Sequence, residues 1–175
     1  MQDRRDYGRG YSLWLMPESG ISGRAQEVIN KIAERWGCPA FEPHVTLLGH
    51  ILGEEEKIIE SAQEVAREIG QFEADFVWAG GTDRYFKCVF VKVERSRELE
   101  RANELALKRF RMKAEEEYMP HMSLAYGEME EQRRKEIMSS LPDLSGRYAF
   151  DRLVVCRSTG KVSDWKYIAD FRLWR

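Results

Sequence analysis

The sequence contains one five-residue pattern twice, as PHVTL at residues 43–47 and as PHMSL at residues 120–124. Each copy consists of proline, histidine, an apolar residue, a hydroxyl residue and leucine. The chain has only five prolines and three histidines, so two matched copies are not a coincidence. Side chains alternate between the two faces of a β-strand. Each copy therefore predicts a strand with a histidine and a hydroxyl on one face and apolar residues on the other.

The two copies together predict an active site. If the strands face one another, His44, Thr46, His121 and Ser123 line one cleft. A neutral imidazole can accept a proton from water while a protonated imidazole donates one to the leaving oxygen. The two hydroxyls can donate hydrogen bonds to the non-bridging oxygens of a phosphate, which carry charge in the transition state. This set of groups favours phosphoester hydrolysis with neither a metal ion nor a cofactor.

Other interpretations of the same residues are weaker. A nucleophilic Ser123 is disfavoured, because it points parallel to His121 along the strand and lies too far away for direct proton transfer. His50 is followed by Ile51 and Leu52 rather than by a hydroxyl, so we expect it to end a strand without a catalytic role. A zinc site built on three histidines would lack an HExxH motif and a clustered carboxylate.

Composition limits the class of protein. The chain has 175 residues, 43% of them hydrophobic and 33% charged, which suits one folded domain over residues 1–175. A formal charge of -2 gives no general attraction to a long nucleic acid. No apolar run is long enough for a membrane span, and the charged N-terminus is not typical of a signal peptide. We expect a cytoplasmic monomer whose partners include neither a membrane nor a long nucleic acid.

The three cysteines point to the same compartment. Cys38, Cys88 and Cys156 are widely spaced and form no CxxC pair. We expect buried thiols in a reducing cytosol, and a single disulfide stays open as an alternative.

Strand and helix patterns alternate along the chain. Apolar and period-two runs predict strands at residues 11–17, 72–79, 85–94, 148–156 and 165–174, besides the two histidine segments. Helical periodicity predicts helices at residues 22–36, 53–70, 96–109 and 128–141, the first capped by Ser22 and ended by Gly37. Each half then has a helix, a loop, a histidine strand and a second helix. We expect an α+β protein with two similar lobes.

The paired motifs resemble the signature of the 2H phosphoesterase superfamily. Four stretches are similar to its cyclic phosphodiesterase group, known from plants and yeast: YSLWLMP at 11–17, FEPHVTL at 41–47, YFKCVFVKV at 85–93 and YMPHMSLAYGEM at 118–129. That group hydrolyses ADP-ribose 1″,2″-cyclic phosphate to ADP-ribose 1″-phosphate, a step after tRNA splicing. It also opens nucleoside 2′,3′-cyclic phosphates to 2′-phosphates.

The resemblance implies a fold and a set of roles for this chain. The fold is a bilobal α+β structure with a pseudo-two-fold axis, in which two antiparallel sheets line a central cleft and the helices lie outside. His121 is then the general base and His44 the general acid. Thr46 and Ser123 bind the phosphate. The disulfide pattern of the plant proteins is not carried over, because Cys38 has no counterpart.

Four aromatic residues match substrate-binding positions of the group. Trp14 either lines the cleft or fills the core. Tyr126 reaches the cleft only if its strand ends or twists before it, because alternation points it away. Tyr85 and Phe86 are consecutive, so only one can stack on a base, and Phe86 matches the stacking position better. Such stacking is worth about 1–3 kcal/mol.

A charged loop precedes the second motif. Residues 108–120 carry a basic cluster followed by three glutamates. This loop is either a lid in which Arg111 or Lys113 contacts a substrate phosphate, or a solvated connection.

Three functions are compatible with these residues. The first is hydrolysis of a small cyclic phosphate, with that nucleotide as the partner. The second is an RNA-end enzyme of the same superfamily, either 2′-5′ RNA ligase-like or a 3′-end phosphodiesterase. The third is a nucleotide-binding module without catalysis.

Overall fold

The structure is a computed structural model that describes residues 8–114 and 117–174. In these residues seven β-strands and four α-helices follow one another. The strands are β1 (Tyr11–Pro17), β2 (Val45–Ile51), β3 (Phe72–Gly80), β4 (Val89–Val93), β5 (His121–Ala125), β6 (Gly146–Arg157) and β7 (Lys166–Arg172). The helices are α1 (Ser19–Trp36), α2 (Glu55–Ile69), α3 (Arg97–Arg109) and α4 (Glu131–Ser139).

The strands form one antiparallel sheet in the order β1-β2-β5-β4-β3-β6-β7, and β1 also pairs with β6. Strand β6 serves both halves, because residues 146–150 pair with β3 and residues 150–157 pair with β1. The halves meet again where β2 pairs with β5 at Val45 and Met122. The α+β prediction is confirmed, with the difference that the strands of the two halves join in one sheet instead of two.

Alternation gives this sheet a core face and a cleft face. Leu13, Val45, Val93 and Leu124 are fully buried on the core face, where apolar residues of α1, α2 and α3 pack against them. Full burial of each such side chain contributes roughly 1.5–3 kcal/mol of hydrophobic stabilisation. The alternate positions, which include both motif hydroxyls, are left for the opposite face.

Helix α1 begins earlier than the sequence predicts. It starts at Ser19 and follows Glu18, so Ser22 lies inside the helix and is not its cap. The reason is Ile21, which is buried and extends the apolar stripe of the helix towards its N-terminus. The predicted end is confirmed, since Gly37 has a left-handed φ of 69° that a glycine adopts readily.

Several other predicted elements are shorter in the structure, and hydrogen bonds account for two of them. Residues 85–94 are not one strand, because Tyr85–Lys87 forms a 3₁₀ turn before β4. The amide and the hydroxyl of Thr82 both donate to the Lys87 carbonyl, at 3.0 and 2.8 Å, and hold this turn out of the sheet. Helix α4 spans 131–139 rather than 128–141. At its end the hydroxyls of Ser139 and Ser140 bond to carbonyls of the preceding turn, which competes with further helix.

Cys38, Cys88 and Cys156 are all free thiols, and the last two are buried. Among the residues that the structure describes, no helix is both long and apolar enough to cross a bilayer.

Helix α3 is fastened to the first motif strand by one buried side chain. The predicted start of α3 is confirmed, because the Ser96 hydroxyl accepts a hydrogen bond from the Leu99 amide at 3.2 Å. Further along the helix, the side-chain amide of Asn103 donates to the Leu47 carbonyl at 2.8 Å. Asn103 is 9% exposed. This bond therefore fastens α3 to β2 at the residue that follows Thr46.

The variant Asn103→Ala should lower the free energy of unfolding by about 1–3 kcal/mol, because the Leu47 carbonyl loses a buried donor. Urea unfolding of the variant and the native protein measures this difference. Glu104→Ala on the exposed side of the same helix is the matched control and should change stability by about 0.5 kcal/mol or less. Equal effects of the two substitutions would contradict the structural role of Asn103.

Candidate active site

A cleft of about 370 Å³ opens on the side of the sheet opposite the core face. All four motif side chains line it, namely those of His44, Thr46, His121 and Ser123. They reach it because β2 and β5 pair at Val45 and Met122, one residue after each histidine. The structure thus brings together the residues that the paired motifs predict.

Both imidazoles are oriented in the same way by their own backbone. Nδ1 of His44 lies 2.6 Å from the Glu42 carbonyl oxygen, and Nδ1 of His121 lies 2.9 Å from the Met119 carbonyl oxygen. A carbonyl can only accept, so each Nδ1 carries a proton and donates it. Nε2 of each ring is then the nitrogen left to exchange a proton with a ligand in the cleft. In both motifs the accepting carbonyl lies two residues before the histidine.

The surroundings of the two histidines disfavour their charged forms. His44 is 4% exposed, and burial lowers its pKa to about 4, with a smaller contribution from the neighbouring charge of His121. Burial also lowers the pKa of His121 to about 4, and the Lys87 ammonium acts in the same direction. Both imidazoles of the free protein are therefore neutral at pH 7.

The two hydroxyl residues of the motifs, Ser123 and Thr46, take part in different hydrogen bonds. Ser123 is buried, and its hydroxyl donates to the Phe86 carbonyl at 3.1 Å. This hydroxyl has to rotate before it can donate to a phosphate. Thr46 is half-buried in the cleft wall, and its carbonyl accepts a hydrogen bond from the Tyr118 hydroxyl at 3.2 Å.

Tyr126 reaches the cleft because β5 ends at Ala125, so strand alternation no longer applies to it. Its hydroxyl lies 3.4 Å from Nε2 of His44, and its ring stacks on Phe41 with centroids 3.9 Å apart. Burial raises the pKa of the Tyr126 phenol, and a hydrogen bond with Ser123 acts in the opposite direction. The phenol therefore stays protonated and can donate a hydrogen bond beside Nε2 of His44.

Trp14 is both a buried side chain and part of the cleft wall. It is 3% exposed and packs in a small cluster with Met16, Val154 and Cys156. Its ring stacks on His44, with centroids 3.6 Å apart and planes 10° apart. Trp14 therefore both fills part of the core and lines the cleft, which the sequence analysis gave as alternatives.

Phe86 lines the cleft and the consecutive residue Tyr85 does not, as expected for two neighbouring side chains. Tyr85 packs against the edge of Phe86 with centroids 4.8 Å apart. One face of Phe86 is covered by Trp165, with centroids 5.7 Å apart and planes 29° apart, and Tyr126 meets it edge-on. Phe86 is therefore held within a cluster of rings.

Several cleft residues were missed by the sequence reasoning. Ser12 and Ser158 share a hydrogen bond of 2.6 Å between their hydroxyls in the cleft wall. Ser12 could have been found by alternation from Trp14, but Ser158 and Trp165 depend on long-range pairing that no local pattern shows. Tyr118 was visible only as a neighbour of the second motif.

Basic side chains give the cleft a charge opposite to that of the whole chain. Arg9, Lys87 and Lys113 line it, together with Glu117, which is paired with Arg95. Lys113 of the charged loop thus lies at the cleft. Arg111 is exposed with a positive φ of 53°, and Glu115 and Glu116 of the same loop lie outside the described residues.

The third histidine also borders the cleft. His50 lies near the end of β2, as predicted, and it is exposed with a positive φ of 58°. In residues 8–114 and 117–174, no three histidine, cysteine or acidic side chains come together in a group that could hold a metal ion.

Comparison with known proteins identifies the family. A family model described as "Cyclic phosphodiesterase-like protein" matches residues 9–173. The cyclic phosphodiesterase of Arabidopsis thaliana is 28% identical over 172 residues, which covers 91% of this chain and 92% of that protein.

Solved structures show the same fold. LigT from E. coli in its apo form matches with a TM-score of 0.61 and 15% identity, over 97% of this chain and 99% of that one. The protein TT0787 of Thermus thermophilus matches with a TM-score of 0.64 and 15% identity, over 94% and 97%. The chain belongs to the cyclic phosphodiesterase-like family and is an enzyme that hydrolyses cyclic phosphodiesters.

Proposed function

We propose that the chain opens small cyclic phosphates with two histidines as the only proton-transfer groups. The observation that carries this proposal is the matched orientation of His44 and His121. Each donates from Nδ1 to its own backbone and leaves Nε2 for chemistry, and both side chains line one cleft with two hydroxyls. A binding site alone would not require a pair of titrating groups.

The reaction is a balanced proton exchange around one phosphorus atom. One neutral imidazole takes a proton from water as the water oxygen bonds to phosphorus. The bond from phosphorus to one ring oxygen breaks, and the other imidazole, protonated at Nε2, gives its proton to that oxygen. Thr46 and Ser123 donate to the non-bridging oxygens, and Tyr126 adds a donor beside His44.

The neighbours of the two rings support distinct roles. The face of His44 lies on Trp14, and an aromatic face attracts a cation. His121 lies near the Lys87 ammonium, which lowers its pKa. We infer that His44 is the acid and His121 the base, in agreement with the roles implied by the family resemblance.

The cleft suits a small anionic substrate. Its volume of about 370 Å³ lies in the range of small-molecule sites, and basic residues line it although the chain has a net charge of -2. We propose ADP-ribose 1″,2″-cyclic phosphate and nucleoside 2′,3′-cyclic phosphates as substrates, each opened to the product implied by the resemblance. The protein acts on them as a cytoplasmic monomer without a membrane or a long nucleic acid.

Phosphorus NMR of the product tests the reaction directly. A nucleoside 2′,3′-cyclic phosphate should be converted to the 2′-phosphate at the same rate with and without EDTA, because the proton transfers use side chains alone. Activity that EDTA abolishes and zinc restores would contradict the mechanism. Tight binding without turnover would instead support a nucleotide-binding module, and cleavage of oligonucleotides in place of the cyclic compounds would support the RNA-end alternative.

Removing either histidine should slow turnover strongly. His44→Ala and His121→Ala should each reduce kcat by about 10²–10⁴-fold, the usual contribution of a general acid or base. His50→Ala is the matched control, because it removes a histidine at the cleft rim that lacks a following hydroxyl. Steady-state kinetics measures the effect, with circular dichroism to verify folding. Full activity in either of the first two variants would refute their assignment.

The pH of maximal activity should differ between kcat/KM, which reports on the free protein, and kcat, which reports on the substrate-bound protein. Burial holds both histidine pKa values near 4, so kcat/KM should have its maximum below pH 6.5. It falls at higher pH as the acid loses its proton. A bound phosphate anion stabilises the imidazolium, so the maximum of kcat should lie at higher pH than that of kcat/KM. Coincident maxima above pH 6.5 would contradict this account.

A further inference from the structure

An exposed tryptophan lies on the same face of the sheet as the second catalytic histidine. Trp78 on β3 is 52% exposed, whereas Val91 and Val93 on the adjacent strand β4 point into the core on the other face. The alternate residues of β4, Phe90 and Lys92, lie on the side of Trp78. An exposed indole next to a catalytic face is a surface on which an aromatic ligand group can stack.

A row of contacts connects Trp78 with His121. Lys92 is the cross-strand partner of His121, and its ammonium lies 5.4 Å from the centroid of the Trp78 ring. Phe90 contacts both residues, with centroids 5.2 Å from His121 and 6.3 Å from Trp78. Trp78 and His121 are two strand spacings apart, about 10 Å. An aromatic surface and a cation thus lie just beyond the second motif.

The position of the indole is built into the sheet. A Cβ atom at Gly80 would lie 2.3 Å from Cζ3 of Trp78 and 3.2 Å from the ring of Phe90. The six-membered ring of Trp78 therefore occupies the space where a side chain at position 80 would project. This arrangement holds one part of the ring against the protein and leaves the rest free for a ligand.

We propose that Trp78 and Lys92 form a second subsite, which binds the nucleoside part of a substrate larger than a mononucleotide. The base stacks on Trp78, and a phosphate next to that nucleoside pairs with Lys92, while the cyclic phosphate lies between the two histidines. The proposal rests on the proposed function, and it deepens that function by naming the substrate class. ADP-ribose 1″,2″-cyclic phosphate and a cyclic-phosphate RNA end share this chemistry, because each carries a base and a second phosphate beyond the cyclic phosphate.

The structure favours Trp78 over Phe86 as the exposed stacking surface. Phe86 has one face on Trp165 and its edges on Tyr85 and Tyr126, so it is committed to the aromatic cluster of the cleft. Trp78 has more than half of its surface exposed. Stacking on it needs no rearrangement of the cleft.

The test compares three substrates in the native protein and in Trp78→Ala. They are a mononucleoside 2′,3′-cyclic phosphate, ADP-ribose 1″,2″-cyclic phosphate and a dinucleotide that ends in a 2′,3′-cyclic phosphate. The ratio of kcat/KM for a larger substrate to kcat/KM for the mononucleotide should fall about 5- to 100-fold, the effect of losing one base stack. Trp78→Phe should restore most of the ratio, and Lys92→Met should lower it in the same direction.

Trp174→Ala is the matched control. Its indole is 68% exposed and also has a guanidinium near its face, with Cζ of Arg172 at 5.0 Å from the centroid, but it follows β7 and lies outside the row of β3, β4 and β5 contacts that connects Trp78 with His121. It should leave every ratio unchanged. A fall confined to the ADP-ribose compound assigns the subsite to its adenosine, and a fall confined to the dinucleotide assigns it to the neighbouring nucleotide of an RNA end. Unchanged ratios in Trp78→Ala would overturn the proposal.

A binding measurement separates this proposal from the proposed function. Calorimetry gives the dissociation constants of ADP-ribose and of the dinucleotide that ends in a 2′-phosphate, neither of which contains a cyclic phosphate to hydrolyse, for the native protein and for Trp78→Ala. Weaker binding of either ligand by about 5- to 100-fold in Trp78→Ala supports the subsite even if none of the cyclic compounds is hydrolysed. Equal binding of both ligands overturns it even if all of them are hydrolysed.

Discussion

The pairing of Val45 with Met122 is the contact on which the site depends. It is the register contact between β2 and β5, and each of its two residues directly follows a motif histidine. Because side chains alternate, burying Val45 and Met122 on the core face turns the neighbouring residues towards the cleft. The hydrophobic effect that fixes these two apolar residues therefore also aligns the two imidazoles. A shift of one residue in either strand would exchange its two faces.

The burial that places both histidines in the site also disfavours the protonated imidazole that a general acid needs. The low pKa values of both histidines follow from removal of water around the rings. Such a site favours two neutral bases, whereas the proposed mechanism requires one base and one acid. In that mechanism an anionic phosphate in the cleft would supply the missing stabilisation for one imidazolium, and the Trp14 ring would supply more on the side of His44. The proposed substrate would thus contribute to the charge state that its own hydrolysis needs.

Much of the fold and of the site could be predicted because it follows from local pattern. The repeated motif predicts His44, Thr46, His121 and Ser123 through alternation alone, and the spacing of Ala25, Val28, Ile29 and Ile32 predicts the buried stripe of α1. The placement of Tyr126 in the cleft depends on where β5 ends, which no periodicity specifies. Ser158 reaches Ser12 only through the pairing of β6 with β1, over 146 positions of sequence. The 3₁₀ turn at Tyr85–Lys87 depends on the hydrogen bonds of Thr82, which override the strand propensity of its residues.

The duplicated motif makes the two halves equal in pattern, and their neighbours make them unequal in chemistry. His44 is enclosed, with Trp14 on its face, Phe41 at its edge and the Tyr126 hydroxyl near Nε2. The ring of His121 is more exposed, meets Phe90 edge-on and has Lys92 as its cross-strand partner. A general acid and a general base are distinguished by surroundings of this kind, since residues of one type acquire different roles when their environments differ. Trp78 lies beyond Lys92, the cross-strand partner of His121, so in the proposed mechanism the half that supplies the base is also the half from which a larger substrate would extend.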